Sequence, residues 1–219
     1  MSGTTHCRSR RQVIVMAALF ATLPLLAVRQ AFAEALAPTP SQPEGPFYPR
    51  TLPADRDADL VVVAGRPGRA EGTPLYLDGT VRSTSGMPLV GARVEIWQAD
   101  ARGRYHHVDD GGAAALDENF QGYGETLTDE QGRYQFRTIR PVAYTGRAPH
   151  IHMKVQYSGA KPLTTQMYAA GDSLAADSAF LRFFGKEARE RLTVVLEPAP
   201  DKEAGALRAR FDIVLAIEP

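Results

Sequence analysis

Along this chain, apolar and polar positions alternate with a period of two far more often than they recur every third or fourth residue. Such runs are "LVVVA" (60–64), "LYLDGTVRS" (75–83), "ARVEIWQ" (92–98), "GRYQFRTI" (132–139), "HIHMKVQY" (150–157), "LTTQMYA" (163–169), "LTVVLE" (192–197) and "RARFDIVLAI" (208–217). Turn formers punctuate most of the gaps, as in "STSGMP" and "TDEQG". Short strands at this density predict an all-β domain, either a two-sheet antiparallel sandwich or a barrel. One helix is predicted near "SAFLRFFGKEARERL" (178–192). Residues 34–59, rich in Pro, Ala and Asp, read as an irregular N-terminal arm ahead of a domain spanning 60–219.

The first 33 residues follow another pattern. "RSRRQVI" carries three arginines, and the run from Val13 to Val28 is apolar except for Thr22 and Pro24. "AFA" (31–33) then offers the small-x-small pattern that signal peptidase accepts. Arg10-Arg11 after Ser9 resembles a twin-arginine signal, the route that exports folded proteins to the periplasm or beyond. The apolar run is shorter than the roughly 20 residues a membrane span needs. The reading is therefore cleavage after Ala33 and no stable membrane insertion of the mature chain.

Charge and cysteine content sharpen this. The 219 residues carry zero net charge, but removing 1–33 takes away four arginines and no acid, leaving 21 basic against 25 acidic residues, a net charge of −4. No basic patch remains, which argues against nucleic acid and anionic membrane as partners. The single cysteine, Cys7, lies in the leader, so a mature exported chain must be stabilised by its core or by a metal rather than by a disulfide.

Candidate chemistry begins at His150 and His152. In a strand, Ile151, Met153 and Val155 line one face, and His150, His152 and Lys154 the other. Two imidazoles at i and i+2 lie within about 7 Å of each other and can share a metal, although a pair of solvated histidines has the same pattern. The mature chain offers only two other histidines, His106 and His107, and no cysteine, so further ligands would have to be carboxylates or tyrosines. Tyr144 lies on the Pro- and Gly-rich turn leading into the histidine strand, and Tyr105 follows a Gly-containing turn after "EIWQ". Taken singly, either reads equally as a packed aromatic.

Jointly, these residues resemble a family. Leu77, Gly79, Val81, Gly86, Leu89, Val94-Glu95-Ile96, Gly103 and Tyr105 keep the spacing of the intradiol ring-cleavage dioxygenases. "DENFQGYGETLTDEQGRYQFRTIRPVAYTGRAPHIHMKV", "TTQMYAAGD", "RFDIVLA" and "TPSQPEGPFYP" are similar to the same family, in family order over nearly all of 39–216. The resemblance implies a prealbumin-like β-sandwich and one non-haem Fe(III) per chain, with Tyr105, Tyr144, His150 and His152 as its ligands. It implies a catechol and O2 as substrates, and ring opening between the two hydroxylated carbons to a muconate-type diacid. Tyr144 takes the role of the displaced ligand and base, and Arg147 that of a cation stabilising charge on the ring. Gly45, Pro46 and Gln166 match residues lining the pocket. Trp97 reads as core, and His106 and His107 as surroundings of the site or surface residues rather than ligands. A non-catalytic transthyretin-like binding module and another metal-dependent enzyme on the same sandwich are the competing readings.

Two departures from the family pattern change the picture. Only five residues separate Tyr144 from His150, a shorter loop than the cytoplasmic protocatechuate enzymes carry, which implies a more open pocket. Arm and ligands also share one chain here, so the unit is complete alone or as a homo-oligomer. The proline-rich arm leaves no room for the helical dimerisation region of the catechol-specific branch.

Overall fold

Two five-stranded sheets pack face to face in a computed structural model that describes residues 35–144, 146–171 and 183–217. The strands are β1 (Pro74–Ser83), β2 (Arg93–Trp97), β3 (Tyr123–Leu127), β4 (Arg133–Ile139), β5 (His150–Gln156), β6 (Leu163–Ala169), β7 (Thr193–Val194), β8 (Glu197–Pro198), β9 (Leu207–Arg210) and β10 (Ile213–Leu215), with one helix, α1 (Gly185–Leu192), before β7. The first sheet runs β10-β1-β9-β8, with β4 on the other edge of β1, and the second runs β3-β2-β5-β6-β7. Between them, Leu75, Leu77, Val81 and Phe136 meet Val94, Ile96, Ile151, Met153 and Val155, all fully buried. Burying each such side chain stabilises the fold by about 1.5–3 kcal/mol before chain entropy is counted.

The sandwich and its short helix are as expected, but the sheets are mixed rather than antiparallel. β1 pairs in parallel with both β9 and β10, and β6 with β7. β9 and β10, both far along the chain from β1, run beside it in the same direction. The run at 208–217 is two strands, broken where Phe211 N–H donates to Asp78 and the Asp212 carboxylate accepts the Thr80 N–H at 2.8 Å. Likewise the run at 192–197 holds only the two-residue strand β7 and the first residue of the equally short β8.

"LVVVA" is no strand. Asp57 and Asp59 side chains accept the N–H groups of Asp59 and Val61, folding the chain into turns that push Leu60 and Val61 into the core as a plug. Conversely, β3 carried no clear sequence signal, because Gly122 and Gly124 interrupt its pattern. A side chain at Gly124 would come within 2.6 Å of Leu60, so the plug requires the gap. The predicted leader (1–33) and residues 178–182 of the predicted helix lie outside the described residues. Among the described residues no helix is long and apolar enough to cross a membrane.

Candidate metal centre

The second sheet is buried on both faces at the end that carries Trp97, His150 and His152. Val94, Ile96, Ile151, Met153 and Val155 point into the sandwich, while the alternate residues point outward beneath the arm. Register puts them in rows: Trp97 opposite Tyr123 and His152, His152 opposite Gln166, and His150 opposite Tyr168. His150 and His152 are each only 2% exposed, although they sit on the outer face. What buries them is the arm, stitched along the sheets by Thr39 to Val214, Gln42 to Thr164 and the Gln166 amide to the Pro43 carbonyl.

Each candidate ligand is delivered by a specific local device. Beyond β2, the fully buried Asp100 carboxylate accepts the N–H groups of Arg102 and Arg104 and, with its other oxygen, that of Asp117. This Asx turn has Gly103 at φ +77°, where other residues are strained, and it throws Tyr105 back over the sheet. Tyr144 and Arg147 exchange two backbone hydrogen bonds of 3.2 and 2.7 Å, a tight turn that presents both side chains beside β5.

The four side chains meet. Tyr144 Oη donates to Tyr105 Oη at 3.3 Å, and His150 Nε2 lies 3.1 Å from His152 Nε2. The ring of Tyr105 is edge-on to Tyr144 at 5.4 Å and to His152 at 6.2 Å, and Tyr144 lies 5.6 Å from His150. Arg147 Nη2 reaches His150 Nε2 at 3.4 Å and donates to Gln166 Oε1 at 2.7 Å. Gly45 is seated on His152: a Cβ there would stand 3.3 Å from the imidazole Cε1, and its φ of +76° favours glycine independently. Pro46 is exposed beside it. His106 bonds to the Asp117 carbonyl and His107 lies edge-on to Phe47, so neither joins the cluster.

This donor set suits a hard cation. His150 gives its Nδ1 proton to the Ala148 carbonyl at 2.6 Å, which leaves a lone pair on Nε2. Burial, with the nearby Arg147 charge, holds His150 down to about 4, and burial with His150 and Arg147 holds His152 well below the usual range, so both imidazoles are neutral donors at pH 7. Burial raises both phenols. Tyr105 is pushed well up, with the Tyr144 oxygen adding to burial against the pull of Arg147, and Tyr144 is raised despite its hydrogen bond to Tyr105 and the same arginine. Buried phenolates need a strong positive charge beside them, and a trivalent ion supplies one. Among the described residues no group of three or more His, Cys, Asp or Glu side chains converges to hold a metal, so phenolic oxygen is the remaining hard donor here.

Three features were not anticipated. Trp97 is core, as read, but its indole also stacks on His152 at 4.9 Å and 9°. Phe47 stacks on Tyr105 at 4.6 Å and 25°. The Tyr168 hydroxyl donates to Gln166 Oε1 at 2.8 Å. The two-residue register with the histidines could have marked Trp97 and Tyr168. Phe47 had no such signal, because its partner is distant in sequence.

Comparison with known proteins identifies the family. The dioxygenase family model matches residues 43–217, well over half of the chain. The chain belongs to the intradiol ring-cleavage dioxygenases. It is 39% identical over 168 residues to the protocatechuate 3,4-dioxygenase beta chain of Burkholderia cepacia, covering 73% of this chain and 71% of that one. To catechol 1,2-dioxygenase 1 of Acinetobacter lwoffii it is 33% identical, over 82% of this chain but only 60% of that protein's length. Among solved structures, the dioxygenase domain of a dioxygenase–carbohydrate-binding fusion from the cellulolytic bacterium Streptomyces sp. SirexAA-E superposes with a TM-score of 0.63 at 30% identity, over 83% of this chain and all of that one.

Proposed function

We propose that this chain is a non-haem Fe(III)-dependent enzyme that opens a catechol-type ring between its two hydroxylated carbons with O2, releasing a muconate-type diacid. The observation that carries the reading is the convergence of Tyr105, Tyr144, His150 and His152, from three separated stretches, on one covered sheet face. These four would hold one iron per chain, and two phenolates would offset two of its three charges. Bound there, the ferric ion would act as a Lewis acid on the catecholate and open it to O2.

The chain's own residues have distinct tasks. Tyr144 is the more exposed of the two phenols and sits on a turn rather than under the arm, so its oxygen is the one free to swing aside and take a substrate hydroxyl proton at Oη. Tyr105, fully buried under Phe47, stays in place. Arg147, aimed by Gln166, offsets negative charge gathering on the bound ring. Gly45 and Pro46 close the arm side of the pocket, and Gln166 lines it.

The location follows from the leader. Residues 1–33 act as a twin-arginine-type signal, 34–59 as the arm and 60–219 as the catalytic domain, acting outside the cytoplasm, alone or as a homo-oligomer. The fusion of a related dioxygenase to a carbohydrate-binding protein supports a plant-derived phenolic as substrate. Nucleic acid is not a partner.

The test is the visible spectrum of the purified mature protein. A burgundy tyrosinate-to-iron band at one iron per chain, shifting when catechol is added without O2, is expected. A colourless protein carrying stoichiometric iron would rule out phenolate ligation.

A further inference from the structure

We propose that Tyr48 and Glu95 form a latch that fixes arm residues 44–48 over the four-donor cluster, which makes Tyr48 a positioning residue for His152 and Tyr105. The consequence for iron rests on the function proposed above; the latch itself rests on the packing of the arm.

Glu95 lies on β2 two residues before Trp97, on the same outer face, and is only 1% exposed. A buried carboxylate is costly unless its oxygens are bonded. One of them, Oε1, accepts from Gln156 Nε2 at 2.9 Å, within the sheet. The other, Oε2, accepts from the Tyr48 hydroxyl at 2.7 Å, and Tyr48 belongs to the arm. Half of the carboxylate's bonding therefore depends on the arm being down, and a hydrogen bond to a charged acceptor is the stronger kind.

The Tyr48 ring is boxed in as well. Lys154 Nζ stands 4.2 Å over it, and the rings of Trp97 and Tyr123 meet it edge-on at 5.0 and 6.3 Å. The same lysine pairs with Glu44 at 2.8 Å, so the segment is clamped at both ends by neighbours on the sheet. Between the clamps sit the two residues that touch candidate ligands. Gly45 is seated against the His152 imidazole, which Trp97 stacks on, and Phe47 stacks on Tyr105. Releasing Tyr48 would therefore loosen one nitrogen and one oxygen ligand together, without removing any donor atom.

The variant Tyr48→Phe keeps the ring and deletes only the hydroxyl. Tyr76→Phe is the control: it deletes a hydroxyl bonded to Glu203 at 3.3 Å, on the first sheet. Trypsin cleavage after Arg50, measured on iron-free protein, reports whether the arm is seated. Loss of iron to a chelator, measured on loaded protein, reports ligand positioning. Tyr48→Phe is expected to be cut several-fold faster at Arg50 and to lose iron about 10-fold faster, the lower end of what deleting an outer partner costs. Tyr76→Phe is expected to match wild type in both. Adding Glu95→Gln to Tyr48→Phe should cost less than the two single effects combined, because the two groups act as one. Equal cleavage and equal iron loss in wild type and Tyr48→Phe would overturn the latch. Faster cleavage of Tyr48→Phe in a protein that takes up no iron at all would uphold the latch and sink the iron reading alone.

Discussion

Gln166 has three hydrogen-bonding positions in use at once. Its Oε1 accepts from Arg147 Nη2 and from the Tyr168 hydroxyl, and its Nε2 donates to the Pro43 carbonyl. The amide can satisfy all three only in one orientation, so it aims Arg147 while tying down the arm. Leucine in its place roughly keeps the volume but removes all three of these hydrogen bonds at once. Gln166→Leu is expected to lower kcat/KM by about 10–100-fold with iron content unchanged, since no donor atom is lost. Steady-state kinetics alongside iron analysis checks this, and loss of iron in step with activity would assign Gln166 to the ligand framework instead. At this scale the sequence was legible where chemistry and strand period coincide, as at His150 and His152. It was opaque where a residue's meaning lies in a partner far along the chain: Tyr48 and Glu95 are 47 positions apart, and neither is unusual on its own.

Elements were legible in existence and less so in direction. Period-two patterning marks β1, β2, β4, β5 and β6 nearly to the residue, because each has one face against a dry core. Direction depends on the path of the connections, which the pattern does not encode, and so the parallel pairing of β9 and β10 with β1 went unseen. The joint between those two strands carries its own prediction. The Asp212 carboxylate replaces a missing ladder partner, accepting the N–H and hydroxyl of Thr80 while Arg210 donates to it through Nε and Nη2. Burial alone would raise its pKa, but Arg210 and Thr80 outweigh burial and hold it below the usual carboxylate range. A group lowered in the folded state stabilises it above the unfolded pKa of about 4, and that contribution disappears as pH falls through the folded value. The melting-temperature advantage of wild type over Asp212→Asn should therefore be constant above about pH 5 and shrink below about pH 4. An advantage that grows on acidification would mean the pair is not formed.

At the scale of the whole molecule, the sheet face that carries the candidate ligands is also the face the arm covers, so the proposed metal binding and arm docking would share one free energy. Without a cation, two neutral phenols and two neutral imidazoles meet, all buried but the half-buried Tyr144, with His152 Nδ1 lacking a protein partner. Each such group costs part of its hydration on folding. The proposed ferric ion would bind this arrangement only when folding has assembled it, because the unfolded chain holds the three ligand stretches apart. Linkage then requires the iron-loaded protein to be the more stable. At free iron about 1,000-fold above its dissociation constant the gain is about 4 kcal/mol. For a domain of this size, that is a rise in melting temperature of roughly 8–16 °C. Calorimetry of loaded and chelator-stripped protein measures it directly, and Tyr105→Phe separates the cause. Losing one hard donor should remove most of the iron-dependent rise while leaving the stripped protein's melting temperature close to wild type, since the phenyl ring still packs under Phe47. A stripped wild type that melts where the loaded one does would mean that iron, if it binds at all, binds somewhere other than this face.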